Sequence, residues 1–247
     1  MAHLFYFYYP ADELDKDEVE IGGEEAHHAV KVVRIKIGEK IGVINGKGKK
    51  WICEVIECTP KTLRAKLLKT IDENNNQNKF TLIFPWLNKD DPIEILVSMG
   101  TEMGIDEFRF FQADRSIRPI KFNSKIEKWI IQSCKVTGRS LFPTIKFYKN
   151  LESALEDIQG TLFVATASRN SKPLTLMQVP THCGLIIGPE GDLTEREINV
   201  SIEAGAIMVH LGPRTLKSET AGILGSAIIL MKQGNYDKFN REYMIVE

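Results

Sequence analysis

Arg214, Lys217, Glu219 and Thr220 share one short stretch, between an apolar run ending at Leu211-Gly212-Pro213 and an apolar segment rich in Gly, Ala and Ser. A guanidinium, an ammonium, a carboxylate and a hydroxyl at the seam of two buried elements suit a polar ligand, because charges are rarely enclosed without a partner. A second bend of the same kind, Gly188-Pro189-Glu190-Gly191, closes another apolar run. Glycines let main-chain amides and carbonyls approach a flat ligand closely. A purine can be held this way, by backbone hydrogen bonds and apolar walls, with no phosphate-binding signature. The commoner motifs are missing: no G-x-G-x-x-G follows a strand, and neither G-x-x-x-x-G-K-[ST] nor G-x-S-x-G occurs. Either bend alone would pass as a plain turn; two, each at a strand end and each followed by a capped or acid-led helix, point to a site.

The elements that must position these bends alternate. From residue 80 onward the pattern reads strand, helix, strand: an apolar run at 80–85, a helix with Pro92 near its start, a strand at 107–112, an amphipathic helix at 123–136, and further alternation to residue 231. Thr194 and Glu197 have capping-box spacing, which fixes a helix start just after the first bend. Such alternation predicts an α/β fold, a mostly parallel sheet with helices on both faces. Ligands of these sheets bind outside the carboxyl ends of the strands. Three loops qualify: the one opening with Thr166 and Ala167, the one after Ile187, and the one after Leu211.

Before residue 72 the chain reads as a small β-barrel, with strands at 41–44 and 51–57 joined through Asn45-Gly46-Lys47-Gly48 and a third at 62–71. Upstream, Ala26, Ala29, Val30 and Val33 have helical spacing, and the opposite face carries His27, His28, Lys31 and Arg34. Lys31, Arg34, Lys36, Lys47, Lys49, Lys50 and Arg64 make this flank basic, as either a solvated surface or an RNA contact. The Asn-rich run at 72–79 has no apolar residue and reads as a linker between a domain at 1–71 and one at 80–247.

Composition bounds the rest. Apolar residues at 43% and charged residues at 26% are those of a soluble globular protein. A net charge of −1 excludes a generally basic nucleic-acid binder but not a local basic face. No apolar stretch reaches the roughly 18 residues of a membrane span, and the N-terminus lacks the features of a signal peptide. Cys53, Cys58, Cys134 and Cys183 are scattered, with no C-x-x-C, which predicts reduced thiols in a cytoplasmic protein. No His or Cys spacing suggests a metal; adjacent His27 and His28 do not share a helix face.

The two bends together, Leu185-Ile186-Ile187-Gly188-Pro189-Glu190-Gly191-Asp192-Leu193 and Leu211-Gly212-Pro213-Arg214-Thr215-Leu216-Lys217-Ser218-Glu219-Thr220, closely resemble the RsmE-like family of SPOUT methyltransferases. Weaker resemblance covers almost the whole chain, including 28–39, 100–116 with its closing Asp114-Arg115-Ser116 triplet, and the Arg139 segment. The resemblance implies a PUA-like barrel followed by a trefoil-knotted methyltransferase domain. True knots are nearly absent from proteins, so no periodicity argument predicts one. It implies S-adenosylmethionine held by Thr166, Ala167, Ile187, Gly188, Pro189, Glu190 and Gly191, and by Leu211, Gly212, Leu216, Glu219, Thr220 and Ala221. It also implies a homodimer, contacts of Arg115 and Arg139 with RNA or a neighbouring subunit, and methylation of uridine N3 in small-subunit ribosomal RNA or the assembled subunit.

For that reaction, Arg214 is the candidate catalytic residue: a guanidinium beside the uracil carbonyls would stabilise charge left when N3 loses its proton. A purely structural Arg214 would instead pair with Glu190 or Glu219. Three positions depart from the family pattern: Met99, where Lys is common; Lys135-Val136, where Glu-Gln is usual; and Asp192, where a second glycine is expected. Two other readings stay open, a SPOUT enzyme methylating another RNA group such as a ribose 2′-hydroxyl, and a non-catalytic RNA-binding assembly factor.

Overall fold

A computed structural model describes residues 4–73, 78–121 and 123–236. The chain folds into two compact units. One gathers the described residues up to Glu73 together with Ile131–Phe142; the other takes 78–130 and 143–236. Of the predicted linker, Asp72 ends a strand, Lys79 opens the next, and residues 74–77 lie outside the described residues.

The N-terminal unit is a five-stranded sheet: β1 (Tyr6–Tyr8), β2 (Glu18–Gly22), β3 (Lys40–Ile44), β4 (Lys49–Cys58) and β5 (Thr62–Asp72). Their order is β1-β3-β4-β5-β2, antiparallel except where β1 runs parallel to β3. β1 and β2 escape the sequence reading. Register shifts at Ile52/Cys53 and Val55/Glu57 leave Leu68 of β5 and Ile56 of β4 as extra residues, bulges that bend and twist the sheet. Phe7, Val19, Ile21, Ile41, Val43, Trp51, Val55 and Leu63 fill the core beneath it. The predicted helix forms only as α1 (Gly23–His28), then widens into a π-helical turn (Ala29–Val33) that Arg34 ends in the left-handed region at φ 64°. Ala26 and Ala29 are buried, while His27, His28, Lys31 and Arg34 stay exposed, as the spacing predicts. Residues 131–142 join this unit through Glu73, whose carboxylate accepts from Ser140 N at 2.7 Å, Ser140 Oγ at 2.6 Å and Leu141 N at 3.1 Å.

The second unit is a seven-stranded sheet. Its strands are β6 (Lys79–Pro85), β7 (Glu107–Phe111), β8 (Thr144–Tyr148), β9 (Thr161–Ala165), β10 (Lys172–Pro173), β11 (His182–Ile186) and β12 (Ile207–His210), ordered β10-β12-β9-β11-β6-β7-β8. All six pairings are parallel. Burial on both faces explains the near-continuous apolar runs of β6, β7 and β11. The helices are α2 (Asp90–Met103), α3 (Lys125–Thr137, shared with the first unit), α4 (Leu151–Leu155), α5 (Glu195–Glu203) and α6 (Ser218–Lys232). After β12 the chain returns inward, and α6 packs on α2 and β6. Gly222 allows this: a Cβ there would lie 2.7 Å from Leu96 Cδ1 and 3.3 Å from Phe84 Cε2.

Candidate functional site

β12, β9 and β11 are neighbours, and the register aligns their carboxyl ends: Val209 stands opposite Ala165, and Ile186 opposite Val164. The ladder runs one step further on each side, with Thr166 N donating to Val209 O at 2.9 Å and Ile187 N to Ile83 O at 3.0 Å. The loops opening at Thr166, Ile187 and Leu211 therefore leave one rim side by side. That is where a doubly wound sheet takes its ligand.

The two Gly-Pro bends touch. Ser218, buried at the start of α6, donates its hydroxyl to Gly188 O at 2.8 Å. Gly188 has no room for a side chain, since a Cβ would come within 2.9 Å of Leu193 N. Ile187, Pro189 and Leu193 are buried beneath the first bend, and Leu211 and Leu216 are half-buried under the second. Main chain and apolar walls are thus what the rim offers, and these suit a flat heterocycle better than a phosphate.

The first bend is closed by the protein's own bonds. Asp192 N donates to Pro189 O at 2.8 Å, and Asp192 takes φ 59°. Non-glycine residues adopt that conformation rarely, Asp and Asn more readily than others. Its side chain compensates, with Oδ1 accepting from Leu193 N at 2.8 Å. This is how the chain manages without the glycine expected at Asp192. The Thr194–Glu197 capping box forms as the spacing predicts, and fixes α5. Glu197 is buried and also accepts from Asp114 N at 3.0 Å. The Asp114 carboxylate accepts from Thr194 Oγ1 at 2.9 Å and from Arg196 at 2.6 and 3.0 Å. These bonds from Arg196, with Thr194, hold its carboxyl below the usual carboxylate range.

The second bend is held more lightly. Gly212 N donates to His210 Nδ1 at 3.3 Å, which requires that ring nitrogen to be unprotonated. Arg214, Thr215 and Thr220 are exposed and Glu219 is half-buried. Among the described residues Arg214 makes no ion pair with Glu190 or Glu219, so its guanidinium is not spent on either.

The remaining predicted residues stand apart from the rim or take other partners. Lys31 and Arg34 lie on the π-helical turn of the N-terminal unit, exposed. Elsewhere on the predicted basic flank, Lys47 pairs with Asp12, Lys49 with Glu13, Lys50 with Glu73 and Arg64 with Glu18 and Glu57. Arg139 is half-buried and donates Nε to Leu141 O at 2.7 Å, within the N-terminal unit. Arg115 directs its guanidinium to the main chain of the first bend, at Gly191 O. Lys135, one of the departures, pairs with Glu25 at 2.6 Å inside the N-terminal unit. Met99 is exposed on α2. Ser218, His210 and Asp114 contribute to the rim without having been singled out in the sequence. Asp114 could have been found as the acidic member of the Asp114-Arg115-Ser116 triplet.

Two family models match successive parts of the chain. The RNA methyltransferase domain family matches residues 74–230, and the RNA methyltransferase PUA domain family matches residues 21–68. The ribosomal RNA small subunit methyltransferase E of Bacillus subtilis is 28% identical over 239 residues, covering 88% of this chain and 93% of its own length. The methyltransferase of the same name from Neisseria gonorrhoeae, crystallised with S-adenosyl methionine, superposes with a TM-score of 0.81 at 23% identity. It covers 93% of this chain and 98% of its own. A Legionella pneumophila methyltransferase in complex with the cofactor SAM has a TM-score of 0.80 at 21% identity, covering 93% and 98%. These two share the fold.

Proposed function

This chain belongs to the RNA methyltransferase domain family, and from that premise we propose that it transfers a methyl group from S-adenosylmethionine to N3 of a uridine in small-subunit ribosomal RNA. The observation that carries the reading is the Ser218–Gly188 bond, which joins two Gly-Pro bends at neighbouring strand ends. The rim fits an adenosine: a bend too tight for a side chain, buried aliphatic walls, and main-chain groups from three adjacent loops.

When bound, the cofactor supplies a sulfonium methyl that is already activated. The chain's task is then alignment and charge. Thr166, Ala167 and residues 187–191, together with Leu211, Gly212, Leu216, Glu219, Thr220 and Ala221, would hold the adenosine. Holding donor and target nitrogen in line can lower the barrier by roughly 7–11 kcal/mol. Arg214, exposed at the rim and unpaired with Glu190 or Glu219, would face the uracil carbonyl oxygens and stabilise the charge they gain as N3 loses its proton. Lys31 and Arg34 would meet RNA phosphates from the N-terminal unit, read as a PUA-like domain.

The inward return of α6 onto α2 and β6 supports the trefoil-knot reading. Exposed Ile95 and Met99 on α2 and Leu224 and Met231 on α6 support a homodimer, since the two helices pack together and leave apolar side chains uncovered. A cytoplasmic location accords with four free cysteines.

The test is transfer of labelled methyl from S-adenosylmethionine to under-methylated small subunits, followed by identification of the nucleoside. N3-methyluridine is the expected product. A ribose-methylated nucleoside would refute the assignment of the target, and no transfer despite cofactor binding would favour a non-catalytic assembly factor.

A further inference from the structure

We propose that Arg115 is a positioning residue for the first Gly-Pro bend, shaping the donor site from outside it, and is not an RNA contact. The inference rests on the reading of that bend as half of the S-adenosylmethionine site.

Arg115 follows β7 in a tight turn closed by Ser116 N donating to Ala113 O at 2.9 Å. Its Nη1 donates to Gly191 O and lies 3.5 Å from Asp192 O. Its stem packs on the bend as well: a Cβ on Gly191 would lie 3.4 Å from Arg115 Cδ. Two successive carbonyls thus turn toward one guanidinium at the point where Asp192 enters the left-handed region. A planar fork suits that task, whereas an ammonium is a point charge on a mobile stem.

The preceding residue holds the other side of the same corner. Asp114 grips the first turn of α5 through Thr194, Arg196 and Glu197. Asp114 and Arg115 are consecutive, so the end of β7 clamps both the helix start and the bend before it. The bend lies at the end of β11, and β6 separates β11 from β7 in the sheet. The clamp therefore reaches across a strand to fix a loop that its own strand does not carry. Its effect on a ligand is indirect: it sets where the amides and carbonyls of residues 188–191 stand.

Arg115→Ala and Arg115→Lys test this in the full-length protein. Both should raise the dissociation constant for S-adenosylmethionine, Arg115→Ala by about tenfold, the worth of one charge-assisted hydrogen bond. The KM for the donor should rise with it, kcat at saturating donor should change less, and affinity for small subunits should stay as in the parent. Lysine should recover little of the loss. In the ligand-free protein, hydrogen exchange at the Asp192 and Leu193 amides should quicken in both variants. Unchanged exchange there, or lost affinity for small subunits with donor affinity intact, would overturn the proposal. If the parent protein binds no S-adenosylmethionine, the reading of the site fails, and the exchange measurement alone still decides whether Arg115 orders the bend.

Discussion

The two Gly-Pro bends differ in what holds them. The first is tied by Asp192 N to Pro189 O, by Asp192 Oδ1 to Leu193 N, by a capping box and by Arg115. The second, from Gly212 to Lys217, is exposed except at half-buried Leu216 and is secured at its ends by a 3.3 Å bond to His210 and by Ser218. On the proposed function, a site with one pre-set wall and one loose wall would take its donor by closing the loose one. Only the pre-set wall contributes its ordering entropy in advance. The loose wall carries Arg214, the residue proposed for the chemistry, and a guanidinium that must reach an incoming uracil would gain from that freedom.

The largest effect is expected at Arg214. Arg214→Ala should lower kcat about 10²–10³-fold while donor affinity stays within about threefold, because the group acts on charge in the transition state. Single-turnover kinetics with saturating donor would reveal it, and a variant as active as the parent would remove Arg214 from the mechanism. Next comes the tie between the bends. Ser218→Ala deletes a buried hydrogen bond worth about 0.5–1.5 kcal/mol, and calorimetry should show donor affinity reduced by about two- to tenfold. An unaltered affinity would mean that the walls find each other without it.

On the pre-set side, Asp114 gives a smaller, pH-dependent effect. Its carboxyl is held low in the folded protein by bonds from Arg196 and Thr194. A depressed folded value means that the contribution to stability is complete above the unfolded carboxylate value, about 3.9, and fades as pH falls through the folded value. The gap in melting temperature between the parent and Asp114→Asn should therefore be full at neutral pH and shrink below about pH 4. The pair is largely exposed, so the gap should be small. A gap that widens with acid would contradict the assignment. Smallest of all is the cysteine prediction. Burial pushes the Cys53, Cys134 and Cys183 thiols up to about 12, so only the half-buried Cys58 should react appreciably with a thiol reagent under native conditions.

Much of the sheet was legible because its signals are local. The apolar runs at β6 and β11 and the Thr194–Glu197 box depend on residues next to or three apart from one another, and the structure repeats them almost residue for residue. The pairing of strands that share no neighbours was less so. β1 is three aromatic residues with no alternation, and becomes a strand only because β3 lies parallel to it. The helical spacing at 26–33 gave the right faces, but Ala and Val at those positions suit an α-helical or a π-helical turn equally, so the widening was invisible. Charge was hardest. Lys47, Lys49, Lys50 and Arg64 read as one basic flank, yet Asp12, Glu13, Glu73, Glu18 and Glu57 neutralise them from elsewhere in the chain. Arg115 reaches a carbonyl 76 residues away, and no motif in its own neighbourhood names that partner.

Hydrogen exchange with and without S-adenosylmethionine reads both walls at once. Amides at 211–217 should pass from rapid to slow exchange when the donor binds. Those of Asp192 and Leu193 should already be slow and change little. Protection confined to another part of the chain, or an equal response from both bends, would contradict the account.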